Sequence, residues 1–190
     1  MFYKLLLSAA VAAALLSSAS TAADEQDSGR RNTLRVKADL RPKQEVPSVS
    51  SEARGRFKAT IDQANQTISY EVSYEGLEGN VTQSHIHVGQ RAVNGGISVF
   101  LCGTADFQPP EGFPAPPTCP ASPATVTGVI TPANIIGPMG QGIDPTTATV
   151  NQFDELIDML RRGLTYANVH SERFGGGEVR GQIAVEDRKH

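Results

Sequence analysis

Residues 55–75, "GRFKATIDQANQTISYEVSYE", alternate apolar and polar side chains on either side of a short polar interval. Phe57, Ala59 and Ile61 recur at every second position, and so do Ile68, Tyr70, Val72 and Tyr74. Successive side chains of a strand point to opposite faces, so a period of two marks half-buried antiparallel strands. The interval "DQANQT", residues 62–67, then reads as the connection of a hairpin.

Working outward, Leu34, Val36, Ala38 and Leu40 alternate with charged residues in "LRVKADL". On the other side, His85–Val88 forms a short run, and Asn94-Gly95-Gly96 supplies turn chemistry before "ISVFLC", a more buried strand. "ATVTGVIT" (124–131), "LTYANVH" (164–170) and "EVRGQIAV" (178–185) complete the series. One segment breaks the period. Phe153, Leu156, Ile157 and Leu160 recur at helical spacing, with Thr149 and Gln152 as a capping box and Arg161 and Arg162 suiting the C-terminal dipole before Gly163. The expectation is an all-β antiparallel sandwich or barrel, immunoglobulin-like or superoxide-dismutase-like, with one short crossover helix.

The chain opens with Lys4, an apolar run from Leu5 to Leu16 and then small residues. That is the pattern of a secretory signal peptide, cleaved after Ala22 or Ala23. The run is too short to span the ~30 Å of a bilayer, so the mature chain is expected to have no transmembrane segment. Residues 1–23 are thus read as the leader, 24–33 as a flexible lead-in and 34–186 as the domain. A leader of this kind places the protein in the periplasm or outside the cell.

Removal of the leader takes Lys4 away and leaves 16 basic against 20 acidic residues. The charges are interspersed, with no basic stripe to neutralise phosphates, which argues against nucleic acid as a partner. Cys102 and Cys119 are the only cysteines. In an exported chain the pair is most simply a disulfide, because copper ligation by either thiol would need a reducing site. Residues 105–124 hold seven of the twelve prolines, a stiff surface loop that the bridge would close. The chain-entropy gain for a loop of this size is about 3 kcal/mol.

The chemistry concentrates in "SHIH". His85 and His87 lie two apart and share a strand face, while Ile86 and Val88 point the other way. In "TYANVHS", Tyr166, Asn168 and His170 share a face opposite to Ala167 and Val169. If the two strands meet, three imidazoles converge, a ligand set that suits copper or zinc and leaves a coordination position open. The alternative from spacing alone is a set of polar residues on a solvated face. Glu178 and Arg180 alternate on the last strand, either as a surface ion pair or as supports for the site, with Glu178 accepting the spare N–H of a ligating histidine. Tyr166 and Asn168 are supports on the same grounds. No catalytic residue is assigned: Ser84 faces away from His85, and no nucleophile elbow, Walker loop or dinucleotide fingerprint occurs.

The stretches "KQEVPSVSSEARGRFKATID", "ISYEVSYEGLEGNVTQSHIHVGQRAVNGGISVFLC" and "LRRGLTYANVHSERFGGGEVRGQI" closely resemble the chordin (CHRD) domain family, in that family's order. The resemblance runs from about Leu34 to Val185 and departs at Ala167, where Val is usual, and Ser171, where Thr is usual. It implies an extracellular all-β module of the kind found singly in secreted microbial proteins. The family's recurring histidines match His85, His87 and His170. The H-x-H pair is also similar, more weakly, to that of copper/zinc superoxide dismutases, although a fourth copper-ligand histidine and a His/Asp zinc cluster are not apparent. Three functions are therefore carried forward. The first is a binding module with a three-histidine transition-metal site and an envelope or extracellular protein partner. The second is a copper-dependent redox enzyme, and the third is a structural or adhesive module without metal.

Overall fold

The computed structural model describes residues 33–147 and 151–186. The leader, most of the lead-in, Thr149 and His190 lie outside the described residues. Nine strands follow in chain order: β1 (Thr33–Leu40), β2 (Arg54–Asp62), β3 (Thr67–Glu75), β4 (Val81–Val88), β5 (Gly96–Gly103), β6 (Ala124–Ile130), β7 (Thr165–Ser171), β8 (Val179–Gln182) and β9 (Ala184–Val185). Among the described residues a single α-helix, α1 (Gln152–Arg161), lies between β6 and β7 in the chain. The strands form two antiparallel sheets, ordered β6-β3-β2-β1-β9 and β5-β4-β7-β8. This is the all-β sandwich with one helix that the periodicity predicts.

The hairpin β2–β3 pairs Phe57 with Val72, Ala59 with Tyr70 and Ile61 with Ile68, so every apolar residue of the opening motif falls on one face. Its turn is held by Asp62, whose Oδ1 accepts the Asn65 N–H (3.1 Å) and whose Oδ2 accepts the Asn65 amide (2.8 Å). That face packs against Ile86, Val99, Leu101, Ala167, Val169 and Val179 from the second sheet. The phenol of Tyr70 crosses between the sheets and donates to the Leu101 carbonyl (2.6 Å). Gly128, opposite Tyr70 on β6, makes room for the ring, because a Cβ there would lie 2.5 Å from the phenol oxygen.

The helix closes one end of the core with Phe153, Leu156, Ile157 and Leu160, all at most 1 % exposed. Its N-cap is Asn151 rather than Thr149: Asn151 Oδ1 accepts the N–H of Phe153 (3.1 Å) and of Asp154 (3.4 Å). Cys102 and Cys119 form the disulfide. The proline-rich loop is also anchored by the Cys119 N–H to the Gly103 carbonyl (3.0 Å) and by the Gly103 N–H to the Pro117 carbonyl (3.1 Å).

The closing run "EVRGQIAV" is not one strand. It breaks at the buried Ile183, so that β8 pairs with β7 in one sheet and β9 with β1 in the other. β5 carries two irregularities against β4, between Ser84/His85 and Ile86/His87, which set His85 opposite Phe100 and His87 opposite Ile97.

Candidate metal centre

β4 and β7 are neighbours, which is the condition that convergence of the histidines requires. Gln83 faces His170, His85 faces Asn168 and His87 faces Tyr166. Alternation then puts His85, His87, Tyr166, Asn168 and His170 on the side of the sheet away from the sandwich core. That side is not solvated. Residues 89–95, the turn 172–177 and the segment after β1 contribute groups that bond to it, and both strands are buried on both faces. His85 is 0 %, His170 6 % and His87 8 % exposed.

Each imidazole has a defined partner. His87 Nδ1 lies 3.0 Å from the Gly95 carbonyl and His170 Nδ1 lies 2.9 Å from the Gly175 carbonyl. A carbonyl only accepts, so both Nδ1 atoms carry the proton and both Nε2 atoms present lone pairs. His170 Nε2 stands 3.2 Å from His85 Nδ1. His85 Nε2, His87 Nε2 and Asn168 Oδ1 are buried and have no hydrogen-bond partner. One ligand nitrogen from each histidine can be chosen so that all three lie within 4.8 Å of one another.

Burial holds the rings neutral. It pushes His87 down to about 4, helped by repulsion from His170 and Arg180, while the Gly95 carbonyl opposes it. His85 is held well below the ordinary imidazole value by burial and by repulsion from His170 and His87. Burial lowers His170 as well. Neutral imidazole is the form that ligates metals.

The supports expected from the sequence divide. Tyr166 stacks flat on His87, with centroids 4.6 Å apart and planes 4° apart, and receives the Gly95 N–H on its phenol oxygen (3.3 Å). Asn168 stands against the rings of His85 and His87. Arg180 lies over the other face of Tyr166, its Cζ 3.4 Å from the ring centroid. Its guanidinium donates to Asn94 Oδ1 (3.2 Å) and to the carbonyls of Gln90 (3.1 Å) and Val93 (2.8 Å).

Glu178 does neither thing expected of it. It precedes β8, is fully buried, and accepts from Ser51 Oγ (2.6 Å) and the Glu78 N–H (3.0 and 3.2 Å). It thus ties the turn after β3 and the segment before β2 to the second sheet, and backbone carbonyls take the histidine protons instead. The surface ion pair with Arg180 is likewise absent among the described residues, because both side chains are buried with other partners.

Three participants had no functional reading in the sequence. Gly95 and Gly175 lie in glycine runs that signal turns and give no hint that their carbonyls orient histidines. Glu45, in the "QEVP" stretch, is 5 % exposed with an unpartnered Oε1. Its carboxyl sits so close over Gly177 that a Cβ there would lie 2.5 Å from Oε1. Gly177 also has φ +122, so a side chain is excluded twice.

Residues 36–183 match the family model of the CHRD domain. The chain belongs to the CHRD domain family. The match contains every residue of the histidine cluster, its supporting carbonyls and the disulfide. No curated protein matches the chain closely enough to add a relative. A CHRD domain is an extracellular-type binding module, and the disulfide agrees with an oxidising compartment. Among the described residues no helix is long and apolar enough to cross a membrane.

Proposed function

We propose that this CHRD domain is an exported binding module, periplasmic or secreted, in which His85, His87 and His170 hold a copper or zinc ion. The observation that supports this most directly is a deficit of donors. His87 Nε2, His170 Nε2 and Asn168 Oδ1 are acceptors; the His85 Nδ1 proton meets only His170 Nε2, and no donor among the described residues reaches His87 Nε2 or Asn168 Oδ1. A buried cluster of lone pairs is costly unless a cation or a donor meets it. Burial opposes supplying that cation by protonation, so a metal ion is the group that matches the cluster.

The geometry fits the same group. Two nitrogens bound at 2.0–2.1 Å to one tetrahedral metal stand roughly 3.3 Å apart, against 3.2 Å for His85 Nδ1 and His170 Nε2. Histidines that ligate metals ordinarily donate their other N–H to a carbonyl or carboxylate, as His87 and His170 do here. When bound, the ion would supply a Lewis-acidic centre with a position left for an exogenous ligand, such as a side chain of an extracellular partner protein.

Protein purified without chelators is expected to carry about one equivalent of copper or zinc by mass spectrometric metal analysis, or to take it up on addition, as a three-histidine site with one open position should. The His85→Ala/His87→Ala variant is expected to carry none. Equal metal in both, or no uptake by either, would remove the site.

A further inference from the structure

The hydrogen bonds around His85 bear on which of its nitrogens meets the metal, an inference that rests on the metal-site function proposed above. We infer that Asn168 is a positioning residue that makes His85 bind metal through Nδ1, unlike His87 and His170, which bind through Nε2.

His170 Nε2 carries a lone pair, because the proton of that ring is held by the Gly175 carbonyl. In the metal-free chain the 3.2 Å contact is attractive only if His85 Nδ1 carries the proton and donates it. His85 Nε2 is then a lone pair, buried with Asn168 Oδ1, another acceptor without a donor. Both atoms are left unmatched.

A metal ion shared by His85 Nδ1 and His170 Nε2 replaces that proton. A neutral ring keeps one proton, which then resides on Nε2. Asn168 is directly opposite His85 in the strand register, with its side chain on the same face. Its unpaired Oδ1 is the acceptor that the relocated proton needs. Each of the three ligating rings then has an acceptor for its remaining N–H: Gly95 for His87, Gly175 for His170 and Asn168 for His85. The proton changes atoms and the ring does not change charge. Metal loading therefore exchanges the tautomer of His85 alone.

Three arms test this in the full mature chain. Long-range ¹H–¹⁵N spectra of ¹⁵N-histidine-labelled protein report the protonated nitrogen of each ring, before and after Zn(II) or Cu(I), both diamagnetic. The expected result is that His85 changes from Nδ1–H to Nε2–H on loading, while His87 and His170 keep Nδ1–H throughout. A loaded protein in which His85 retains Nδ1–H, with Nε2 on the metal, would overturn the inference and leave the metal site standing. Spectra that neither metal changes would overturn both together.

In the second arm, Asn168→Leu is expected to weaken Zn(II) binding by about 10–100-fold, the usual effect of losing the acceptor behind a ligating histidine. In the third, Asn168→Asp keeps an acceptor and is expected to bind at least as tightly as the parent. Unchanged affinity in Asn168→Leu would make Asn168 a mere filler of space. If that variant does not fold, weakened binding in Asn168→Asp or an unmoved His85 proton in the parent still defeats the proposal.

Discussion

Arg180→Ala is expected to lower the stability of the domain by about 3–5 kcal/mol, the range for removing one partner from a buried charged network, read as a shift in the urea midpoint. The side chain is 2 % exposed. It holds the 89–95 loop by two carbonyls and an amide, and it covers the Tyr166 ring. Bonds to a charged donor are worth about 1.5–3 kcal/mol each, and a desolvated cation–π contact about 2 kcal/mol. Truncation also takes the guanidinium from the Val93 carbonyl, whereas the Gln90 carbonyl keeps the Val93 N–H (3.2 Å). Arg180→Lys is expected to recover only a small part, because an ammonium on a flexible stem cannot serve three acceptors and stack at once. The loss should reach the histidines, since the Arg180–Tyr166–His87 stack and the Gly95 carbonyl share this loop. A shift below about 1 kcal/mol, the size of a surface effect, would show that the guanidinium holds nothing in place.

That expectation could not have been drawn from the sequence, and the reason is physical. Alternation tells which residues share a strand face, and it placed Phe57, Val72, Ile86 and Val169 in the core and the three histidines together on the other side. It is silent about what lies over that other side. For the first sheet the polar face is solvent-exposed, with ion pairs such as Arg54–Glu75 and Arg56–Asp39. For β4 and β7 three loops fold over it, so residues that pattern as surface are buried. Glu178 and Arg180 illustrate the consequence. Their spacing reads as a surface pair, yet each is buried with different partners, because loop contacts at long sequence separation decide their surroundings. Loop contacts also set the roles of Glu45, Gly95 and Gly175, which no local pattern in the sequence marks. The break at Ile183 is similar, for nothing local marks the point where a continuous apolar-alternating run changes sheets. The cap of α1 at Asn151 was legible in kind, a polar residue before a helical repeat, and was displaced by two residues.

Glu45→Gln is expected to leave stability unchanged at pH 4 and to raise it by about 3 kcal/mol at pH 8, because the folded carboxyl keeps its proton to a higher pH than the unfolded one. Burial pushes the Glu45 carboxyl up from 4.5 to about 7, although Arg180 and the Val46 N–H pull it down. The folded state therefore holds a proton that the unfolded chain has released between those two values. Stability from this group is complete below pH 4.5 and is lost as pH rises through 7. The histidines act with the opposite sign. Their folded values lie below 6.5, with His87 at about 4, so the unfolded chain binds more protons and their contribution is lost as pH falls. The metal-free parent should consequently show a shallow profile from pH 4 to 7, two opposed slopes partly cancelling. The glutamine variant has lost one of them, and its stability should climb steeply from pH 4 to 6.5. Urea titrations of both chains in the presence of a chelator separate the terms, because the difference between the curves belongs to Glu45 alone. A difference that does not vary with pH would mean that Glu45 ionises in the folded domain as it does in water. Its carboxyl would then not be sealed between Gly177 and Arg180.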